Sequence, residues 1–118
     1  MNTITVYKVC GTWRGYIHSA IVGGYACHEY VVGQKTHYKP HCGPLTAFGT
    51  VEAAIEWIES MNISKPIIFK SKASRSSGRT VYRSTRHGQV STSLLDLPDE
   101  TILCNWIEPI EEIPQTVF

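Results

Sequence analysis

The sequence predicts an α+β fold, an antiparallel sheet packed against one main short helix. Three observations carry this expectation. Only one stretch, from about Val51 to Met61, repeats its apolar residues at a helical spacing. The apolar runs before and after it are short, rich in β-branched residues and separated by turn residues. Strands that precede and follow one helix, without alternating with others, favour an antiparallel sheet over parallel crossovers. The chain has 118 residues, 42% hydrophobic and 18% charged. That is an ordinary globular composition at the length of one domain, so residues 1–118 are read as a single domain.

The elements are justified in chain order. Thr3–Cys10 is rich in β-branched residues and reads as the first strand. Gly11-Thr12-Trp13-Arg14-Gly15 reads as an exposed turn. Tyr16–Val22 and Tyr25–Val32 flank Gly23-Gly24, a two-residue hairpin signal. Gln34 to Gly49 reads as a loop containing Gly, Pro and His. The helix follows. The Thr50 hydroxyl suits an N-cap, and Glu52 places negative charge at the positive helix end. Val51, Ala54, Ile55 and Ile58 form its apolar stripe, and Asn62 and Pro66 mark the exit. Lys65–Lys70 holds a buried-strand run, Pro66-Ile67-Ile68-Phe69. Thr80–Arg83 and Gln89–Ser93 read as short strands around a turn at His87-Gly88. Thr101–Ile107 reads as the last strand, ended by Pro109. Trp57 and Trp106 are assigned to the core.

Charge is segregated along the chain. The formal net charge is only +1, so bulk charge alone would not coat the protein onto DNA. No helix with a run of basic residues offers itself for the major groove, so duplex DNA is not expected as a partner. Yet residues 60–95 carry Lys65, Lys70, Lys72, Arg75, Arg79, Arg83 and Arg86 and no acid. Residues 96–118 carry Asp96, Asp99, Glu100, Glu108, Glu111 and Glu112 and no base. Such a block of like charge needs a negative counterpart. Two counterparts are at hand, an external anion and the acidic C-terminal segment.

The anion reading selects specific residues. Guanidinium groups bind phosphate through two parallel hydrogen bonds, which points to Arg75, Arg79, Arg83 and Arg86. Ser74, Ser76, Ser77, Ser84 and Thr85 add hydroxyl donors, and Gly78 lets backbone amides come close to a ligand. Tyr82 and Trp13 are the candidates for stacking on a base. The segment lacks the glycine and lysine spacing of a phosphate-binding loop for nucleotide hydrolysis. We therefore expect a non-enzymatic binding protein for a nucleotide-like anion. A protein–protein inhibitor with an acidic partner is the second expectation, and a small transferase or hydrolase acting on a nucleotide the third.

Other constellations are weaker. Cys27, His28, His37, His41 and Cys42 are zinc-ligand types close together, and His37 and His41 have a spacing some zinc sites use. They lack a Cys-x-x-Cys pair, and neither a metal nor a cofactor is expected. Serines stand near histidines at His18-Ser19 and Ser84–His87, and Glu29, Glu108, Glu111 and Glu112 are candidate catalytic acids. No nucleophile, base and orienting group form a recognisable set. Cys10 and Cys104 lie within strand-like runs and read as free core thiols.

His18, Ser19-Ala20, Gly24-Tyr25, Tyr30, Gly33, Pro40, Gly43-Pro44-Leu45, Phe48, Thr50, Glu52-Ala53-Ala54 and Trp57 form a pattern. Leu103-Cys104-Asn105-Trp106-Ile107-Glu108-Pro109-Ile110 completes it. This pattern resembles a group of small, mostly phage- or prophage-encoded proteins of unknown function. The match covers about half the chain and leaves out the basic, serine-rich segment. The resemblance implies a phage context, in which a small protein counters host defence, for instance by sequestering an immune signalling nucleotide. It brings no catalytic residue. No stretch approaches the roughly 18 apolar residues of a membrane span, and Met1–Thr5 lacks a secretory pattern. The expected location is the cytoplasm, that of the host for a phage protein. A homo-oligomer is left open.

Overall fold

The computed structural model describes residues 3–13, 16–19, 28–39, 42–63, 65–85 and 88–114; at 13, 16, 18–19 and 83–85 it describes the backbone. The fold is α+β. Among the described residues, eight strands and one α-helix run in the order β1 (Thr3–Trp13), β2 (Tyr16–Ser19), β3 (Thr36–His37), β4 (Leu45–Phe48), α1 (Val51–Met61), β5 (Ile67–Arg75), β6 (Thr80–Thr85), β7 (Gly88–Ser93) and β8 (Thr101–Glu112), with a single 3-10 turn, Leu94–Asp96, before β8. Among the described residues, six strands form the main sheet, and β6 and β7 form a separate hairpin.

The main sheet curls into a closed ring. β1 pairs with β5, β5 with β8, β8 with β4, and β4 returns to β1 through Tyr7 opposite Phe48. Every pairing is antiparallel. β2 extends the far end of β1, and β3 adds to β8 beside β4. Closure leaves fewer exposed strand edges, which suits a sheet built from so few strands.

Alternation along the strands divides the buried residues into two clusters. One draws on all four ring strands: Val6 and Cys10 from β1, Leu45 and Ala47 from β4, Phe69 and Ala73 from β5, and Cys104 and Ile107 from β8. Tyr30 joins it from the segment before β3. The other joins Val9, Phe48 and Ile68 to Ala54 and Ile58 of α1. The helix matches its sequence signals. The Ala53 amide donates to the Thr50 hydroxyl at 3.1 Å. Asn62 ends the helix in the left-handed conformation, φ 51°. Trp57 rests on Phe48 with ring centroids 5.8 Å apart.

Several expectations are corrected. The first strand does not turn at Gly11. It continues through Trp13, because Gly11, Thr12 and Trp13 gain backbone partners in His18, Ile17 and Tyr16. The stretch read as one loop, Gln34 to Gly49, contains β3 and the wholly buried β4. The strand expected to end at Lys70 runs on to Arg75, and Pro109 does not end β8. Proline is tolerated there because the β5–β8 register shifts between Lys70 and Ser71. The Pro109 carbonyl still accepts from the Gly33 amide at 2.8 Å. Residues 28–32, expected in a strand, hold one isolated bridge at Glu29 instead, and the Tyr30 amide donates to the Ile17 carbonyl at 2.9 Å. The Gly23-Gly24 hairpin lies outside the described residues. Trp106 is only half-buried, with the Lys35 ammonium 4.2 Å from its ring centre. Among the described residues no helix is long and apolar enough to cross a membrane.

Candidate anion-binding pocket

The basic segment does not behave as one unit. Its first part lies in β5, where pairing sets each side chain against a fixed neighbour. Lys72 stands opposite Glu108 and Lys70 opposite Glu111. Both lysines are exposed, and the register sets each across the sheet from an opposite charge in the acidic C-terminal segment.

Beyond Lys72 the surroundings change. β5 ends at Arg75 beside a shift in register, and the chain turns through Ser76, Ser77, Gly78 and Arg79 into β6. The turn is pinned along its length. The Ser76 amide donates to the Leu103 carbonyl at 2.7 Å, and the Leu94 amide to the Arg79 carbonyl at 2.7 Å. Within the turn the Gly78 amide donates to the Ser76 hydroxyl at 3.0 Å, a serine-closed turn. The Asn105 side-chain amide donates to the Arg75 carbonyl at 3.4 Å.

This turn walls a pocket of about 360 Å³. Arg75, Ser76, Ser77, Gly78 and Arg79 form one side, and Leu94 with residues 100–103 forms the other. The volume lies at the lower end of the range for small-molecule sites. Two guanidinium-bearing residues and two hydroxyls face one carboxylate-bearing residue, Glu100, which sits at φ 65°. A left-handed backbone at a residue other than glycine is uncommon and is strained unless its surroundings hold it. Here the Gly49 amide donates to the Glu100 carbonyl at 3.0 Å.

The residues expected to act together are divided by the fold. Arg75 and Arg79 meet at the pocket. Tyr82 does not line it; half-buried on β6, it bonds through its backbone to Gly43, at 2.7 and 2.8 Å. Gly43 cannot carry a side chain at this junction: its φ is 134°, and a Cβ would lie 2.6 Å from the Tyr38 ring. Trp13 is far away. β1 runs from Thr3 opposite Ser74 to Cys10 opposite Ile67, so Trp13 lies at the other end of the sheet from Arg75, roughly 30 Å along the strand. Arg83 lies on β6 opposite Val90. Arg86 and the side chains of Trp13 and Arg83 lie outside the description. Glu100 entered the sequence reading only as one acid of the C-terminal segment, and the far wall of the pocket not at all, because nothing local links Asp99-Glu100 to Arg75. Only the pairing of β5 with β8 brings them together.

The other candidate groups also have places. His28 is buried, and its Nε2 accepts from the Lys39 amide at 2.9 Å, which commits that nitrogen. His37 is exposed on β3 opposite Trp106, Cys42 is buried, and Cys27 and His41 lie outside the described residues. Among the described residues no group of three His, Cys, Asp or Glu side chains is placed to hold a metal. Cys10 is buried, and Cys42 and Cys104 are buried free thiols. Burial pushes the Cys104 thiol up to about 12, with the charges of Lys8 and then Arg75 working the other way. Glu108 and Glu111 stand opposite lysines in the sheet, and the side chains of His18, Ser19 and Ser84 lie outside the description. Comparison with known proteins gives no matching family model, no matching curated protein and no matching solved structure.

Proposed function

We propose that this protein binds a small nucleotide-like anion at the pocket between the 75–79 turn and the start of β8, without turning it over. The observation that carries this reading is the convergence of Arg75 and Arg79 on one pocket with Ser76, Ser77 and Gly78. Arginine forks and hydroxyls are the donors that phosphate oxygens take. The Glu100 carboxylate repels a second phosphate but accepts from a hydroxyl, which favours a ligand with its charge at one end. Host-defence evasion in a phage context, by sequestering a signalling nucleotide, fits a binder of this kind.

The test is direct. Purified protein is denatured, and the released small molecules are identified by mass spectrometry. Binding of the recovered compound, or of mononucleotides where none is recovered, is then measured with wild type and with Arg75→Ala/Arg79→Ala. The expected result is one bound species and at least about a hundredfold weaker binding by the variant, since charge-assisted bonds contribute about 1.5–3 kcal/mol each. Equal binding by the variant overturns the site, and turnover of the compound overturns the non-enzymatic reading.

A further inference from the structure

The hairpin β6–β7 is a two-stranded sheet, and such a sheet is only marginally stable alone. One of its edges is occupied. Tyr82 of β6 exchanges both backbone hydrogen bonds with Gly43, donating at 2.7 Å and accepting at 2.8 Å. This bridge ties β6 to the body of the protein and leaves β7 on the outside.

The same bonds reveal which way the β7 backbone points. The N–H and C=O of Tyr82 face Gly43, so neither faces β7. In an antiparallel ladder the residue opposite such a position also directs both groups away from its partner strand. The residue opposite Tyr82 is Ser91. Its N–H and C=O therefore point outward, and by the period of two so do those of Gln89. The bond from the Leu94 amide to the Arg79 carbonyl, 2.7 Å, flanks the pair Thr80–Ser93 and agrees with this phase. Among the described residues β7 pairs with β6 alone, and Gly88, Gln89, Val90 and Ser91 are exposed.

Proteins usually guard such an edge with lysine, proline or a bulge. β7 reads Gly-Gln-Val-Ser-Thr-Ser, with no charge and no proline, and it pairs with β6 in unbroken register. We propose that β7 is a docking edge that takes an extended acidic peptide segment of a partner protein as a third strand. Main-chain bonds to Gln89 and Ser91 would supply affinity, as in other strand additions. Charge selects the occupant. From Arg79 to Ser93 the chain carries Arg79, Arg83 and Arg86 and no acid. A strand added at β7 lies about 10 Å from β6, within reach of that field at ordinary salt. A second copy would set two basic hairpins edge to edge, whereas an acidic strand meets opposite charge. The interaction is distinct from anion binding at Arg75 and Arg79, because it uses the backbone of β7.

The experiment uses a fluorescent synthetic peptide alternating valine and glutamate, with a valine–lysine peptide of equal length as the charge control. Binding is followed by anisotropy, and the Gln89 and Ser91 amides by hydrogen exchange. The acidic peptide is expected to bind and to slow exchange at both amides, and the basic peptide to bind at least about tenfold more weakly. Ser91→Pro removes the outward N–H without removing a bond to β6, and should weaken acidic-peptide binding by about tenfold or more. Continued protection of the Val90 and Thr92 amides checks that the hairpin persists. Ser91→Glu, which keeps the N–H, should reverse the preference between the two peptides. Equal binding of both peptides to the wild type, unchanged acidic-peptide binding by Ser91→Pro with its hairpin intact, or a dimer that Ser91→Pro dissolves would each overturn the proposal.

Discussion

The Nζ of Lys8, on β1, donates to the carbonyl oxygen of Thr46, on β4, at 2.6 Å, and the Thr46 hydroxyl lies 3.4 Å from the same nitrogen. Lys8 is 1% exposed, and its nitrogen also lies 5.3 Å from the centre of the Tyr30 ring. The contact joins two strands that close the ring through one backbone pair, Tyr7 with Phe48. A buried amine is costly unless hydrogen-bonded, so this bond also offsets the cost of placing a lysine among Val6, Cys10 and Tyr30.

Lys8→Ala should destabilise the protein by about 2–5 kcal/mol, because it leaves a cavity and removes the donor to β4. Lys8→Met should cost clearly less, since methionine refills the volume and takes no polar group inside. Denaturant unfolding of the two variants is the measurement. Equal losses would mean that the hydrogen bond, not the volume, holds β4 in place.

The Cys104 thiol supplies a pH dependence. Its pKa rises from 9.0 to about 12 in the folded protein. The folded state therefore holds this proton more tightly than the unfolded state. Stability from this group is fully present below pH 9.0 and is lost as pH rises toward 12. Cys104→Ala should flatten the decline in stability over that window relative to wild type. Native Cys104 should also react with iodoacetamide at mildly alkaline pH only as fast as the protein opens.

The two parts of the basic segment should respond differently to substitution. Lys72→Glu sets like charges opposite each other at Glu108 and should cost up to about 1 kcal/mol, less at high salt. Adding Glu108→Lys should restore most of that loss. Arg75→Ala and Arg79→Ala, at exposed positions, should leave stability within about 0.5 kcal/mol of wild type. Unfolding titrations at low and high salt check both statements. A large loss from the arginine substitutions would assign them a structural role.

What was legible in the sequence was local. A cap at Thr50, a stripe from Val51 to Ile58 and an exit at Asn62 describe the helix, because helical hydrogen bonds span four residues. The hairpin around residue 88 was legible for the same reason, as were the clustering of cations and the serines and glycine of the 76–79 turn. Tertiary structure decided the rest. Leu45–Phe48 is too short to show a period and lies between Gly-Pro and Gly-Thr, yet it is a strand because β1 and β8 offer it hydrogen bonds from both sides. Pairing with β8 likewise carries β5 to Arg75, through a run that reads as a loop. The same pairing assigns Lys70 and Lys72 to carboxylates of the C-terminal segment and leaves Arg75 and Arg79 at a pocket with Glu100. The β1–β5 register separates Trp13 from Arg75. Sequence determines residue type and local period, whereas the partner of a strand is set by residues tens of positions away.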